Sequence, residues 1–346
     1  SNSFATDALK SSFITSVTSF EVKISLSSLP ILSTDLFPRK IALPFNKPAL
    51  SVSQQISKLE GRGLIVNDKP LAENALRNLK YYRLSGYWMY VEDNRNPHHF
   101  KKGTKFEDIL DLYNFEKELR SYIFEGISRF EVSLRTQFAH QLAMKYGSHS
   151  YLQPDYAKNF SDWLDNMKKV QSETGRSKEI FIKHYKDKYE ESFPPIWVSC
   201  EVFSFGTLSC WYKNLKEIPS TNPNCPGNAK DDIAAFYNVP SVILESWIHS
   251  LTVLRNHCAH QSRIILKQIA IQPMKPKSSK ILISQLWSSQ INCIYNLILI
   301  LLFLNEQIDV PSDWRNTFIT FLKSNNAKCI EFLNFPKDWK KNNYWN

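Results

Sequence analysis

The string Arg255-Asn256-His257-Cys258-Ala259-His260 puts a guanidinium, a carboxamide and two imidazoles within six consecutive residues. Cutting an RNA strand through its own 2′-hydroxyl needs three functions: removal of the hydroxyl proton, neutralisation of charge on the phosphate, and protonation of the departing 5′ oxygen. An imidazole, with an ordinary pKa of about 6.5, takes or gives a proton at neutral pH. A guanidinium stays charged and grips phosphate oxygens bidentately. The string is therefore a phosphate-handling set. Cys258 and Ala259 read as small residues suited to close packing, with no thiol chemistry at Cys258. An arginine and a histidine at this spacing are common by chance in helices, so the string needs support from outside itself.

To work together, these groups must share one part of one element. Asn238 and Pro240 are start signals for a helix, and Leu244, Trp247, Ile248, Leu251, Leu254 and Cys258 mark one buried stripe along it. Counted from Leu251, Asn256 lies about 140° away, His260 about 180°, His257 about 240° and Arg255 about 40°. Asn256, His257 and His260 thus form a polar face, which His249 extends back along the helix. Arg255 flanks the stripe, so it leans its stem across to that face or points toward a neighbouring helix or subunit. One copy of the string offers limited acid–base machinery. Two copies facing each other across a two-fold axis would bring two histidines and two arginines to one phosphodiester, a physical argument for a homodimer.

The rest of the chain reads as helices that frame this one. From about Phe106 to Tyr146, Ile109, Leu112, Phe115, Leu119, Ile123, Ile127, Phe130, Leu134, Phe138 and Leu142 fall at three- and four-residue steps. Glu116/Arg120, Glu125/Arg129 and Glu131/Arg135, each acid four residues before its base, read as ion pairs on the solvated surface of that helix. Ahead of it, Ile56, Leu59 and Leu64, then Leu71 to Leu79, predict two short helices. The aromatic cluster Tyr81 to Trp88, with Arg83 inside it, follows and either stacks bases or packs the core. Beyond Pro194-Pro195, the chain predicts a short helix, a turn marked by Gly206 and another helix. Pro219 to Lys230, Gln272 to Lys280 and the neighbourhood of Pro311 read as surface loops. Leu297 to Leu304 is too short for the roughly 20 apolar residues of a membrane-spanning helix and reads as a buried core helix. No strand pattern competes, so the fold class is all-α.

Composition agrees with that reading. Glycine is scarce, 9 in 346 residues, and long stretches run without glycine or proline. Lys and Arg number 43 against 33 Asp and Glu, and the net charge of +10 draws polyanions, nucleic acid first and an anionic membrane surface second. The cysteines form no Cys-x-x-Cys pair and no zinc-site spacing, and His98, His99, His140, His149 and His184 are scattered. A reduced, cytoplasmic setting with no metal and no cofactor is expected. Lys10, Glu21 and Lys23 interrupt the apolar core that a secretory leader needs.

Four stretches carry a family likeness: Leu79-Lys80-Tyr81-Tyr82-Arg83-Leu84-Ser85-Gly86-Tyr87; Glu116 to Gly147, with Leu119-Arg120 and Phe130-Glu131-Val132-Ser133-Leu134-Arg135; Trp197-Val198-Ser199-Cys200-Glu201 with Phe205-Gly206-Thr207-Leu208-Ser209; and the Arg255 to His260 string. In this order they resemble the Abi-like family of bacterial abortive-infection proteins, the AbiD/AbiF type, within the HEPN superfamily of all-helical nucleic-acid-processing domains. With the element reading, this implies a HEPN-like helical domain over 101–346, a small helical subdomain over 49–100 and an irregular N-terminal extension over 1–48. The resemblance also implies a ribonuclease site of the form arginine, polar residue, three residues, histidine, matched by Arg255, Asn256 and His260. In that superfamily the site is usually composite between two protomers, independent of metal, and leaves a 2′,3′-cyclic phosphate.

The implied setting is phage defence or growth arrest, with a structured non-coding RNA as a regulatory partner in some members. Arg255 would hold the scissile phosphate, His260 would act as general acid or base, and Asn256 would orient the site or bond the phosphate. His257, Arg83 and Tyr82 are further candidates for RNA contact. The alternative is a non-catalytic RNA-binding protein that uses the string as a phosphate clamp. A third reading is a helical scaffold that arrests growth through a protein partner.

Overall fold

One long helix sets the architecture. The apolar steps from Ile109 to Leu142 close as an unbroken helix over Phe106–Tyr146, roughly 60 Å long at 1.5 Å per residue, and every position of that stripe is buried. The computed structural model describes residues 46–93, 98–265, 269, 271–278, 281–290, 294–308, 310–325 and 327–345. All but the last three residues of the expected 1–48 extension lie outside that range.

In chain order the helices are α1 (Val52–Glu60), α2 (Lys69–Leu79), α3 (Tyr81–Trp88), α4 (Phe106–Tyr146), α5 (Phe160–Arg176), α6 (Ile180–Lys188), α7 (Ile196–Ser199), α8 (Phe205–Asn214), α9 (Ala229–Phe236), α10 (Ser241–Ala259), α11 (Ile283–Leu286), α12 (Ile294–Glu306), α13 (Trp314–Ser324) and α14 (Ala327–Glu331). Among the described residues no strand forms, only isolated bridges such as Ile65 with Lys105. The protein is all-α.

Helix α4 packs against α3, α7, α8, α9, α10, α12 and α13, and α10 packs in turn against α8, α9 and α12. Helix α12, around the apolar run from Leu297 to Leu304, is buried from Ile294 through Asn305. No helix among the described residues is long and apolar enough to cross a membrane. Helix α13 docks closely because Gly126 of α4 has no side chain: a Cβ there would overlap the ring of Trp314, whose Nε1–H donates to Tyr122 O at 2.9 Å.

Two local expectations are corrected. Gly206 marks no turn; it lies in the first turn of α8, and the chain breaks before it at Ser204, whose Oγ accepts the Thr207 N–H at 3.2 Å. The loop after Pro219 ends at Asn228, which caps α9 by accepting the Asp231 N–H at 2.9 Å. Lys230 is therefore helical and buried, its ammonium 2.6 Å from Glu245 and 5.4 Å from the centre of the Tyr212 ring. Burial pushes its pKa down, against the pull of Glu245.

Candidate functional site

Helix α10 carries the string at its C-terminal end. Leu244, Trp247, Ile248, Leu251, Leu254 and Cys258 are all buried, as the spacing predicts, while His249, Asn256 and His260 are exposed along the opposite side. Burial pushes the Cys258 thiol up to about 12, Arg120 opposing and Glu116 adding to the shift, so at neutral pH it stays protonated.

The helix ends at Ala259, which makes His260 its cap residue rather than a helical one. The ending is a Schellman motif: Ser262 N–H donates to His257 O at 2.9 Å and Gln261 N–H to Cys258 O at 3.1 Å, with Gln261 at φ 54°. This left-handed position is normally a glycine's. Here the Gln261 carbonyl is occupied by Arg83, whose Nη1 donates to it at 2.9 Å. His257 is half-buried and engaged, its carbonyl closing the motif.

Arg255 points to a neighbouring helix, one of the alternatives left by its position on the wheel. Its Nε lies 3.9 Å from Glu131 Oε2 and its guanidinium carbon 5.8 Å from the centre of the Phe124 ring, both on α4. Its side chain remains 34% exposed, which leaves it open to a ligand. Glu131 is held more tightly by Arg135, at 2.8 Å, and Arg135 also donates to Phe203 O at 3.1 Å.

The first and last of the sequence stretches meet in space. Helix α3 lies against the segment leaving α10, joined by Arg83 to Gln261 and by Arg263, whose guanidinium donates to Gly86 O. A Cβ at Gly86 would come within 2.7 Å of Arg263 Nη1, so the close approach depends on glycine. Tyr87 and Trp88 of the aromatic cluster are core residues, whereas Tyr82 and Arg83 are exposed, Arg83 reaching the end of α10.

Beneath this junction sits Glu116, which composition and spacing had placed on a solvated surface. It is fully buried. Its Oε1 accepts the backbone N–H groups of Ile264, at 2.5 Å, and Ile265, at 2.8 Å. Its Oε2 accepts the Tyr87 hydroxyl and lies 2.8 Å from Arg120 Nη1, itself only 2% exposed. No guanidinium nitrogen of Arg120 has the alignment of a hydrogen bond, so charge holds this pair. Burial pushes the Tyr87 hydroxyl pKa well up, with the Glu116 charge adding to it.

The surface expectation fails for Glu131/Arg135 too, since both side chains are 13% exposed. Arg129 turns away from Glu125 and donates instead to Asn305 Oδ1 and Val310 O. A signal for Glu116 was present in the order of residues. Counted from Leu112, it falls at about 40°, between Leu119 and Ile127 of the apolar stripe, whereas Glu125 falls at about 220°.

The arrangement presents an amide and an imidazole outward from the end of one helix, a guanidinium beside them leaning on α4, and a second arginine bracing the cap. The model of the family described as Abi-like protein matches residues 74–266, more than half of the chain. No curated protein and no solved structure matches. The chain belongs to the Abi-like protein family.

Proposed function

We propose that this Abi-like protein is an endoribonuclease of the HEPN class that acts in abortive infection, the phage-defence role its family name suggests. The observation that carries the reading is the end of α10, where Asn256 and His260 are exposed next to a partly open Arg255. Arg255 neutralises the phosphate, Asn256 bonds one of its oxygens, and His260 moves a proton. The 2′-hydroxyl gives up its proton and attacks phosphorus; the bond to the 5′ oxygen breaks and that oxygen is protonated. The products are a 2′,3′-cyclic phosphate and a 5′-hydroxyl.

Such a reaction needs a base on one side of the phosphate and an acid on the other. One chain supplies a single His260, and its Arg255 leans toward α4 rather than across the polar face. A working site built from two copies about a two-fold axis supplies both.

The test is RNA cleavage by purified wild type, Arg255→Ala and His260→Ala, read by ligation-based sequencing of cyclic-phosphate ends. Loss of a general acid–base group costs roughly 10²- to 10⁴-fold in rate and loss of a charge-stabilising donor roughly 10²- to 10³-fold, so His260→Ala and Arg255→Ala are expected to lose those factors respectively while keeping the wild-type circular dichroism melt. Undiminished cleavage by His260→Ala would end the catalytic assignment. Firm RNA binding by wild type with no cyclic-phosphate ends would favour a phosphate clamp that binds and does not cut.

A further inference from the structure

Tyr82 is the most exposed tyrosine among the described residues, at 80%, and it stands on the helix that meets the end of α10. Its setting is braced. Tyr81 stands edge-on to it at 5.8 Å, and is itself edge-on to the buried Trp88 at 4.9 Å, which meets Phe100 at 6.2 Å. The backbone two residues earlier, at Lys80, is held at φ 62° and ψ 144°. That region belongs almost wholly to glycine, and a side-chain-bearing residue stays there only where its surroundings over-determine it.

Two cations neighbour Tyr82 in sequence. Lys80 and Arg83 are both exposed, and Arg83 is fixed by its bond to Gln261 O, one residue past His260. By helical count Tyr82, Arg83 and Gly86 fall within about 100° of arc. Gly86 is the residue that Arg263 touches, so this arc is the side of α3 that faces the segment leaving α10. An open aromatic ring and a cation anchored one residue past the proposed proton-transfer residue thus share one side of α3.

We propose that Tyr82 is the stacking platform for an unpaired base of the RNA strand whose phosphate is held at Arg255 and His260, which makes single-stranded RNA the substrate. This rests on the ribonuclease reading above. Every base offers a π-face that an exposed ring can cover, and paired bases inside a duplex have theirs covered already. Arg83, with one guanidinium nitrogen committed to Gln261, has others free to meet the phosphate between the stacked base and the cut.

The full chain is titrated with a short fluorescent single strand of 2′-O-methyl RNA, which lacks the nucleophilic hydroxyl, and with its duplex. Stacking on one base is worth ~1–3 kcal/mol, so Tyr82→Ala is expected to weaken single-strand binding by roughly 5- to 150-fold. Its salt slope should match wild type, because no charge is removed. Tyr82→Phe should bind within about twofold of wild type. The ring is exposed, and the thermal melts of both variants should overlay on wild type.

If Tyr82→Ala binds like wild type, or if Tyr82→Phe loses as much as Tyr82→Ala, the platform assignment falls. The same follows if the loss is equal on duplex. In those cases undiminished cleavage of ordinary RNA by Tyr82→Ala leaves the ribonuclease reading standing and points Tyr82 to a protein surface. Wild type that neither binds nor cuts RNA overturns both readings, and binding without cutting removes only the catalytic one.

Discussion

Arg255 has two suitors. Glu131 Oε2 sits 3.9 Å from its Nε, close enough to compete with an incoming phosphate and too far for a firm hydrogen bond. An ion pair this long, with its guanidinium 34% exposed, contributes about 1 kcal/mol or less. Removing the carboxylate charge with Glu131→Gln should therefore tighten RNA binding by about two- to fivefold at low salt, an effect that fades as salt screens it. Fluorescence anisotropy across a salt series reads this directly, and weaker binding by the variant would show that Glu131 orients Arg255 rather than competing for it. Arg135, its main ion-pair partner, keeps its bond to Phe203 O and can still donate to the Gln amide oxygen, so the variant is expected to lose less stability than Glu131→Ala.

The elements around the string earn their place through Glu116. That one carboxylate ties α3 through Tyr87, the chain beyond α10 through Ile264 and Ile265, and its own helix through Arg120. Removing one partner of a buried pair leaves the other charged and uncompensated, at about 3–5 kcal/mol. Glu116→Ala should lose that much in urea unfolding, and adding Arg120→Met should restore part of it. A Glu116→Ala protein as stable as wild type would mean that water already reaches Arg120. The acid-before-base spacing of Glu116/Arg120 is the same as that of Glu125/Arg129, so spacing alone separates neither from a surface pair. Register on the apolar stripe does separate them, because burial follows the face of the helix and not the identity of the neighbour four residues on. Helix starts were harder to read: Ser204 and Asn228 each start a helix by a side-chain bond to a single N–H group, a choice that nearby Ser, Asn and Gly residues make ambiguous.

At the scale of the whole molecule, a composite site predicts that activity follows association. Sedimentation should give a particle of two chains at concentrations where RNA is cut, and dilution below the dimer's dissociation constant should lower the rate per chain. A constant rate per chain across dissociation would place the complete site within one copy. Residue order alone determined the all-α class, the extent of α4 and which side of α10 is buried, since a period of 3.6 residues and the demand to hide apolar side chains act over a few neighbouring positions. Only the tertiary structure decided that Arg255 leans on α4, that Glu116 lies in the core, and that Arg83 reaches Gln261, one residue past His260. These depend on meetings between residues as far apart as Arg83 and Gln261, 178 positions in sequence, or Glu116 and Ile264, 148 positions. No local periodicity encodes such meetings, because the partner of each group is set by how whole helices pack.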